Sequence, residues 1–207
     1  MRIDSVIARA LYVVDRALRS EFPDDYDKRC LYAAFGTCAL IQDAGFEANI
    51  AGGEFLAFVV SKSGQRAGLQ GFGANPAQPS HYWVEVEGTI VDLGPHYLPR
   101  GSSFPAEPMP IVAWRPGSEL PRYLRYRTTI RYAPDAELQS DGVITVRKEA
   151  FVSKCQSRYK AQVGQPKLPV WLLSGSVSFD AAVLRRDTWA RNAKTFANGI
   201  EESQLPF

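Results

Sequence analysis

The segment HYWVEVEGTIVDLG, residues 81–94, has the pattern of a two-stranded β-hairpin. Aromatic and β-branched residues alternate with polar ones on both sides of Glu87-Gly88, and a two-residue connection that contains glycine is typical of a tight hairpin turn. A turn of two residues makes Val84 and Val91 direct partners across the hairpin. Because side chains along a strand point alternately to the two faces, this register puts His81 and Asp92 on one face as diagonal neighbours. We therefore expect the Asp92 carboxylate to bind a ring N–H of His81.

A histidine held by a carboxylate is the arrangement that a general base requires. Taken singly, His81 could equally be a strand histidine that hydrogen-bonds a loop, and Asp92 a strand-end carboxylate. Trp83 shares their face, where it either shields the His–Asp hydrogen bond from water or takes part in ordinary sheet packing. His96 follows the second strand closely enough to line the same cleft, although the face pattern does not select it.

Upstream of the hairpin, residues 28–43 are predicted to form a helix that contains the apolar run CLYAAFGTCALI, and a helix that is apolar all round is a buried helix. Cys30 lies in its first turn, where free N–H groups and the helix dipole favour a negative charge and so the nucleophilic thiolate. A cysteine in such a helix is also a common packing residue. Cys38 lies two turns deeper, and Cys155 has no histidine near it in the sequence, so we expect both to be structural. Cys30 is accordingly the predicted nucleophile.

The segments around these residues resemble a known superfamily. Gly45 follows Cys30 by 15 residues, and GFEANIAGG, residues 45–53, is similar to the Gly-Ile-Pro-Ala-Arg … Gly stretch of transglutaminase-like domains. HYWVEV, residues 81–86, resembles their His-x-Trp-x-Glu-Val strand. VDLG, residues 91–94, occupies the place of the strand that ends in the triad Asp.

The resemblance covers residues 28–95 and implies a bacterial family within the papain-like or transglutaminase-like cysteine proteinase superfamily. It implies a Cys30-His81-Asp92 triad that forms an acyl-thioester on the cysteine. The reaction is then hydrolysis or deamidation of a small-molecule or peptide amide, or transglutaminase-like acyl transfer. The alternatives are acyl transfer from acetyl-CoA, as in arylamine N-acetyltransferase-like proteins, and a non-catalytic binding module with a degenerate triad.

An oxyanion formed in this chemistry needs hydrogen-bond donors. The Cys30 backbone N–H is one, and Gln42, Trp83 and the loop before Cys30 are the candidates for the second. The chemistry requires no metal and no organic cofactor. A zinc site is not expected either, because the chain has only two histidines, His81 and His96, and no C-x-x-C motif.

The order of predicted elements favours one α+β domain over residues 1–207 with a cysteine-proteinase-like fold. In that fold the buried helix that carries Cys30 packs on an antiparallel β-sheet. Two further helices, over residues 147–162 and 179–202, follow at the C-terminal end. An amphipathic helix over residues 3–18 precedes the cysteine.

Between the cysteine helix and the hairpin, the sequence predicts two strands, at residues 48–51 and 54–60, separated by Gly52-Gly53. Residues 61–80 are rich in Gly, Ser, Gln, Ala and Pro and are predicted to lack secondary structure. Such a loop is either a lid or binding loop over a site, or a surface excursion.

Composition excludes several classes of partner. The formal net charge of +2, from 24 basic and 22 acidic residues, gives no electrostatic reason to expect nucleic-acid binding. The chain contains no run of about 18 uncharged apolar residues, so no membrane span is expected, and charges spread through the first 20 residues do not suit a signal peptide. Three cysteines, an odd and sparse set, fit a reducing cytoplasm.

Overall fold

The computed structural model describes residues 2–72, 79–115, 119–132, 142–164 and 166–207. These residues form an α+β fold around one curled, mixed β-sheet, so the predicted fold class is confirmed. The helices are α1 (Ile3–Glu21), α2 (Cys30–Asp43), α3 (Gly94–Tyr97), α4 (Gly142–Ala161), α5 (Ser176–Leu184) and α6 (Thr188–Gly199). The strands are β1 (Ala48–Val60), β2 (Ala67–Gln70), β3 (His81–Val86), β4 (Thr89–Asp92), β5 (Ile111–Trp114), β6 (Leu124–Tyr132) and β7 (Leu172–Leu173).

The sheet separates two apolar cores. Helix α2 packs against one face, where Val84 and Val86 of β3 point into the helical core, and α1 and α4 pack against α2. Helices α5 and α6 pack against the other face around Trp189, which is buried and donates its indole N–H to the Phe58 carbonyl at 2.8 Å. The helix α2 is buried over most of its length, as its uniformly apolar sequence predicts.

The strand order is β2-β1-β3-β4-β5-β7, and β6 pairs with the other edge of β1. Five of these pairings are antiparallel, but β5 and β7 are parallel. The expectation of a purely antiparallel sheet is therefore wrong at this edge. The reason is the connection between β5 and β7, which runs through β6 and α4 and so is long enough to return the chain in the same direction.

The strand β1 is continuous where the sequence predicted two strands. Its pairing with β6 has a bulge opposite Gly52 and Gly53, and the extra residue, Thr129, belongs to β6. A Cβ atom at Gly53 would lie 2.0 Å from the backbone carbonyl oxygen of Arg127, so only glycine permits this close approach of the two strands.

The strand β1 also changes its neighbour along its length. It pairs with β3 as far as Gly53 and with β2 from Ala57 onward. Because β2 belongs to the tract 61–80, the prediction that this tract has no secondary structure is wrong for Ala67–Gln70; residues 73–78 of it lie outside the described part. The sheet therefore opens between β2 and β3, next to the first residue of β3, which is His81.

Candidate active site

His81 and Asp92 form the pair that the hairpin pattern predicts. Nε2 of His81 lies 2.7 Å from Oδ2 of Asp92, and the two side chains are 0% and 2% exposed. Because a carboxylate only accepts hydrogen bonds, Nε2 carries the shared proton and donates it. This leaves Nδ1 as the second ring nitrogen, which is buried and has no partner of ordinary hydrogen-bond geometry among the described residues.

The backbone of Gly94 contacts both residues of this pair. Its backbone N–H donates to Oδ1 of Asp92 at 2.7 Å, so both carboxylate oxygens are bound. A Cβ atom at Gly94 would lie 2.4 Å from Cε1 and 2.5 Å from Nε2 of His81. The imidazole therefore fits only because position 94 has no side chain.

Tyr126 of β6 is a third partner of Asp92, and no pattern in the sequence predicts this contact. Its hydroxyl donates to Oδ2 at 2.7 Å, from a position 34 residues further along the chain. Burial, and then the charge and hydrogen bond of Asp92, raise the pKa of Tyr126 well above its ordinary value, so the hydroxyl stays protonated and remains a donor. Asp92 thus receives one hydrogen bond from each of His81, Gly94 and Tyr126.

Aromatic rings enclose the imidazole. Phe72 stacks on His81 with ring centroids 4.8 Å apart, Phe55 lies at 4.9 Å and Trp83 at 6.0 Å. Trp83 also packs edge-on against Tyr126 at 4.9 Å. This geometry fits one of the two roles expected of Trp83, which is to shield the His–Asp hydrogen bond from water. Phe72, Phe55 and Tyr126 contribute to the same shielding.

Cys30 is the first residue of α2 and is partly exposed. Burial alone would lower the pKa of His81, but the charge and hydrogen bond of Asp92, followed by a hydrogen bond to Cys30 and its charge, raise it to about 10. Burial and then Tyr132 raise the pKa of Tyr82, the next residue of β3, to about 12, and the charge of Cys30 adds to this. The thiol therefore lies beside the first residues of β3, and Nδ1 is the nitrogen of His81 that Asp92 leaves available to it.

The other two cysteines are buried in the helical core. Cys38 is 2% exposed and Cys155 is fully buried, and burial raises the pKa of each thiol to about 12. Both are therefore protonated at neutral pH, which agrees with the structural role expected for them.

Two other candidates lie away from the cysteine. Gln42 is near the far end of α2, twelve residues or about 18 Å from Cys30 along the helix. Its amide donates to the Ala48 carbonyl at 2.7 Å, so Gln42 is not an oxyanion donor.

His96 contacts Arg19 and the Met109 carbonyl, each at 3.3 Å. Burial lowers the pKa of His96, and its neighbours do not include the cysteine.

A cleft opens directly next to Cys30, where β1 exchanges β3 for β2. It encloses about 330 Å³ and is lined by Asp27, Lys28, Cys30, Gln70, Gly71, Phe72, Ser80, Tyr97, Leu98 and Gly101. This volume is at the lower end of the range for small-molecule sites, about 300–1,000 Å³. Phe72 is shared between the cleft and the aromatic enclosure of His81, so the cleft leads to the His81–Asp92 pair.

A hydrogen-bond network holds the wall of the cleft that Tyr97 provides. The Tyr97 hydroxyl donates to Oδ1 of buried Asp15 at 2.8 Å, and Nε of Arg19 donates to the same oxygen at 2.9 Å. Arg19 continues to the hydroxyl of Tyr26 at 2.9 Å, whose ring packs edge-on against Tyr97. The wall is therefore fixed by polar contacts on its far side.

Within the described ranges, no group of three or more His, Cys, Asp or Glu side chains is arranged to hold a metal ion. Nor do the described helices include one that is long and apolar enough to cross a membrane. Comparison of the chain with protein-family models, curated protein sequences and solved structures gives no match. The functional interpretation therefore depends on the geometry of the site.

Proposed function

We propose that this protein is a cysteine-dependent acyl-transfer enzyme with Cys30 as nucleophile, His81 as base and Asp92 as the group that orients the base. The observation that carries the proposal is the buried imidazole, with one nitrogen on a carboxylate and the other available to a cysteine that opens to a cleft. A buried histidine with a raised pKa next to a cleft is typical of catalytic sites. We further propose a cysteine-proteinase-like fold, related to papain-like and transglutaminase-like domains.

In the reaction that we propose, the raised pKa of His81 keeps the thiol proton of Cys30 on Nδ1, and the thiolate attacks a substrate carbonyl carbon. The tetrahedral intermediate collapses to an acyl-thioester as the leaving group departs with the proton from the imidazolium. Water or an amine then attacks the thioester while His81 takes up its proton, and the thiolate beside the imidazolium is restored. Asp92 fixes the tautomer of the ring and stabilises its charged form.

The oxyanion of the intermediate requires hydrogen-bond donors next to Cys30. Its own backbone N–H is free, because the first N–H groups of a helix have no partner within the helix. Gln70 lines the same cleft, and its side-chain amide makes no hydrogen bond with another described residue. We assign it as the second donor in place of Gln42.

The rate of iodoacetamide labelling at about pH 6 tests the proposal. We expect Cys30 to be labelled faster than Cys38 and Cys155, and His81→Gln to slow its labelling by about tenfold or more. The glutamine amide can still donate to Asp92, so this variant keeps the carboxylate paired. His96→Gln is the matched control and should leave the labelling rate unchanged.

Equal, slow labelling of the three cysteines would contradict the enzyme proposal and favour the binding-module alternative. The acetyl-CoA alternative has its own test, which is the mass of the intact protein after incubation with acetyl-CoA. An adduct of one acetyl group that disappears in Cys30→Ser would favour a transferase, whereas an unchanged mass would favour hydrolysis or deamidation.

A further inference from the structure

We infer that the cleft beside Cys30 binds a small, apolar acyl group without a positive charge, so that the preferred substrates are amides or esters of such acids. This inference concerns the substrate class of the proposed enzyme and rests on that proposal. It follows from the chemistry of the cleft walls, from the pairing of their charges and from the contacts that hold them in place.

The walls next to the cysteine are mainly apolar. Phe72, Tyr97 and Leu98 supply the large side chains, and Gly71 and Gly101 expose only backbone. A group that leaves water for such walls gains free energy in proportion to its apolar surface. The space of about 330 Å³ accommodates a short chain or one ring and little more.

The charges at the cleft do not favour a cationic acyl group. Asp27 is the one carboxylate in its lining, and Nε of Arg100 lies 3.3 Å from Oδ1 of that side chain, which is 11% exposed. Lys28 is exposed and forms no ion pair with a described residue. A positively charged substituent would therefore meet a neutralised carboxylate and an unpaired cation.

The apolar walls are already in place without a substrate. Leu98 is 4% exposed within the core on the far side of the sheet, and Tyr97 is held through its hydroxyl by Asp15. On the opposite side, a Cβ atom at Gly71 would lie 2.3 Å from the carbonyl oxygen of Phe55, so the backbone before Phe72 lies closely against β1. A preformed cleft loses little binding energy to ordering of its walls.

Release of 4-nitrophenolate from a series of 4-nitrophenyl esters tests the inference. In each reaction Cys30 sulfur bonds to the carbonyl carbon while the ester C–O bond breaks and 4-nitrophenolate leaves. We expect the Cys30-dependent rate to rise roughly threefold to fourfold for each methylene group buried in the cleft, from acetate through butyrate to hexanoate. The 6-aminohexanoate ester, which places an ammonium group in the apolar cleft, should react about tenfold more slowly than hexanoate, or slower.

Gly101→Leu places a side chain at the edge of the cleft, in space where a Cβ atom meets no other atom within 4 Å. It should slow hexanoate more than acetate. Gly199→Leu makes the same change at an equally open position in α6, remote from the cleft, and should preserve the chain-length preference. Cys30→Ser and His81→Gln give the background rates.

The outcomes separate the two proposals. If release depends on Cys30 and His81 but is equal for all the esters, or if Gly101→Leu leaves the preference for hexanoate unchanged, the inference on the acyl group is wrong and the enzyme proposal stands. If no ester shows release that depends on Cys30 and His81, both are overturned.

Discussion

The imidazole of His81 rests on the backbone of Gly94, so closely that a Cβ atom there would lie 2.4 Å from Cε1 of the ring. Gly94 also donates its N–H to Asp92. One residue thus determines both where the carboxylate is held and how near the ring can approach it.

Gly94→Ala should therefore displace His81 from Asp92. We expect the iodoacetamide labelling rate of Cys30 to fall by about tenfold or more, and the free energy of unfolding to fall by about 1–3 kcal/mol because the new methyl group overpacks a buried site. Labelling kinetics and urea denaturation measure the two effects. Gly199→Ala, at a position with no neighbouring atom within 4 Å, is the control, and wild-type labelling in Gly94→Ala would show that the contact is not needed.

Tyr126 should position the carboxylate rather than merely fill space. Tyr126→Phe keeps the ring against Trp83 but removes the hydrogen bond to Oδ2 of Asp92, and a hydrogen bond to a charged group contributes about 1.5–3 kcal/mol to stability. We expect a loss of that size in urea denaturation and a severalfold slower labelling of Cys30.

Tyr123→Phe provides the comparison for Tyr126→Phe. Tyr123 is buried just before β6, and its hydroxyl forms no hydrogen bond among the described residues. Its substitution should leave the labelling of Cys30 unchanged. Identical effects of the two substitutions on labelling would refute a positioning role for Tyr126.

The contacts that the sequence predicted well are local ones. In the hairpin, Val84 pairs with Val91 and Val86 with Thr89 as expected, because a two-residue turn determines the register of the strands that it joins. Glu87 and Gly88 have φ angles of 48° and 75°, and positive φ at both positions is the signature of a type I′ turn. The His81–Asp92 contact follows from this turn alone.

The contacts that the sequence did not predict join segments far apart in the chain. Tyr126 reaches Asp92 because β6 pairs with β1 instead of with β4, and the alternation along β6 carries no information about which strand it will join. The Phe72–His81 stacking depends in the same way on the pairing of β2 with the end of β1. Of the four rings around the histidine, only Trp83 therefore comes from the hairpin itself.

The C-terminal end shows a different limit of the pattern. Residues 179–202 were predicted as one helix, but α5 ends at Leu184 and α6 begins at Thr188. Arg186 adopts a positive φ of 62°, and Asp187 caps α6 by accepting the Ala190 N–H at 2.9 Å. The apolar spacing continues through this break and does not indicate it. The N-cap residue Asp187 is the local feature that marks the start of the second helix.

The buried cysteines should be unreactive until the protein unfolds. Burial raises the pKa of Cys38 and Cys155 to about 12, so at about pH 8 only about one thiol in ten thousand is ionised at each position, whereas an unfolded cysteine ionises near its ordinary value of about 8.5. Mass spectrometry of iodoacetamide-treated protein should detect one label on the native chain, at Cys30, and three labels in concentrated urea. Rapid native labelling of Cys38 would contradict the buried geometry of α2.

The raised pKa of His81 predicts how stability depends on pH. Asp92 and Cys30 hold the folded-state pKa at about 10, above the ordinary unfolded value of about 6.5. The stabilisation from the charged imidazole is therefore complete below about pH 6.5 and is lost as the pH rises toward 10, with a limiting slope of about 1.4 kcal/mol per pH unit. Urea denaturation between about pH 6.5 and 8.5 measures this pH dependence of stability. The wild type should lose stability across this window, while His81→Gln, which has no proton to release there, should lose less. The difference between the two proteins removes the contributions of groups that both retain and that do not contact His81, including His96, Cys38 and Cys155. Parallel stability curves would mean that His81 titrates near its ordinary pKa and that Asp92 does not hold it in the charged form.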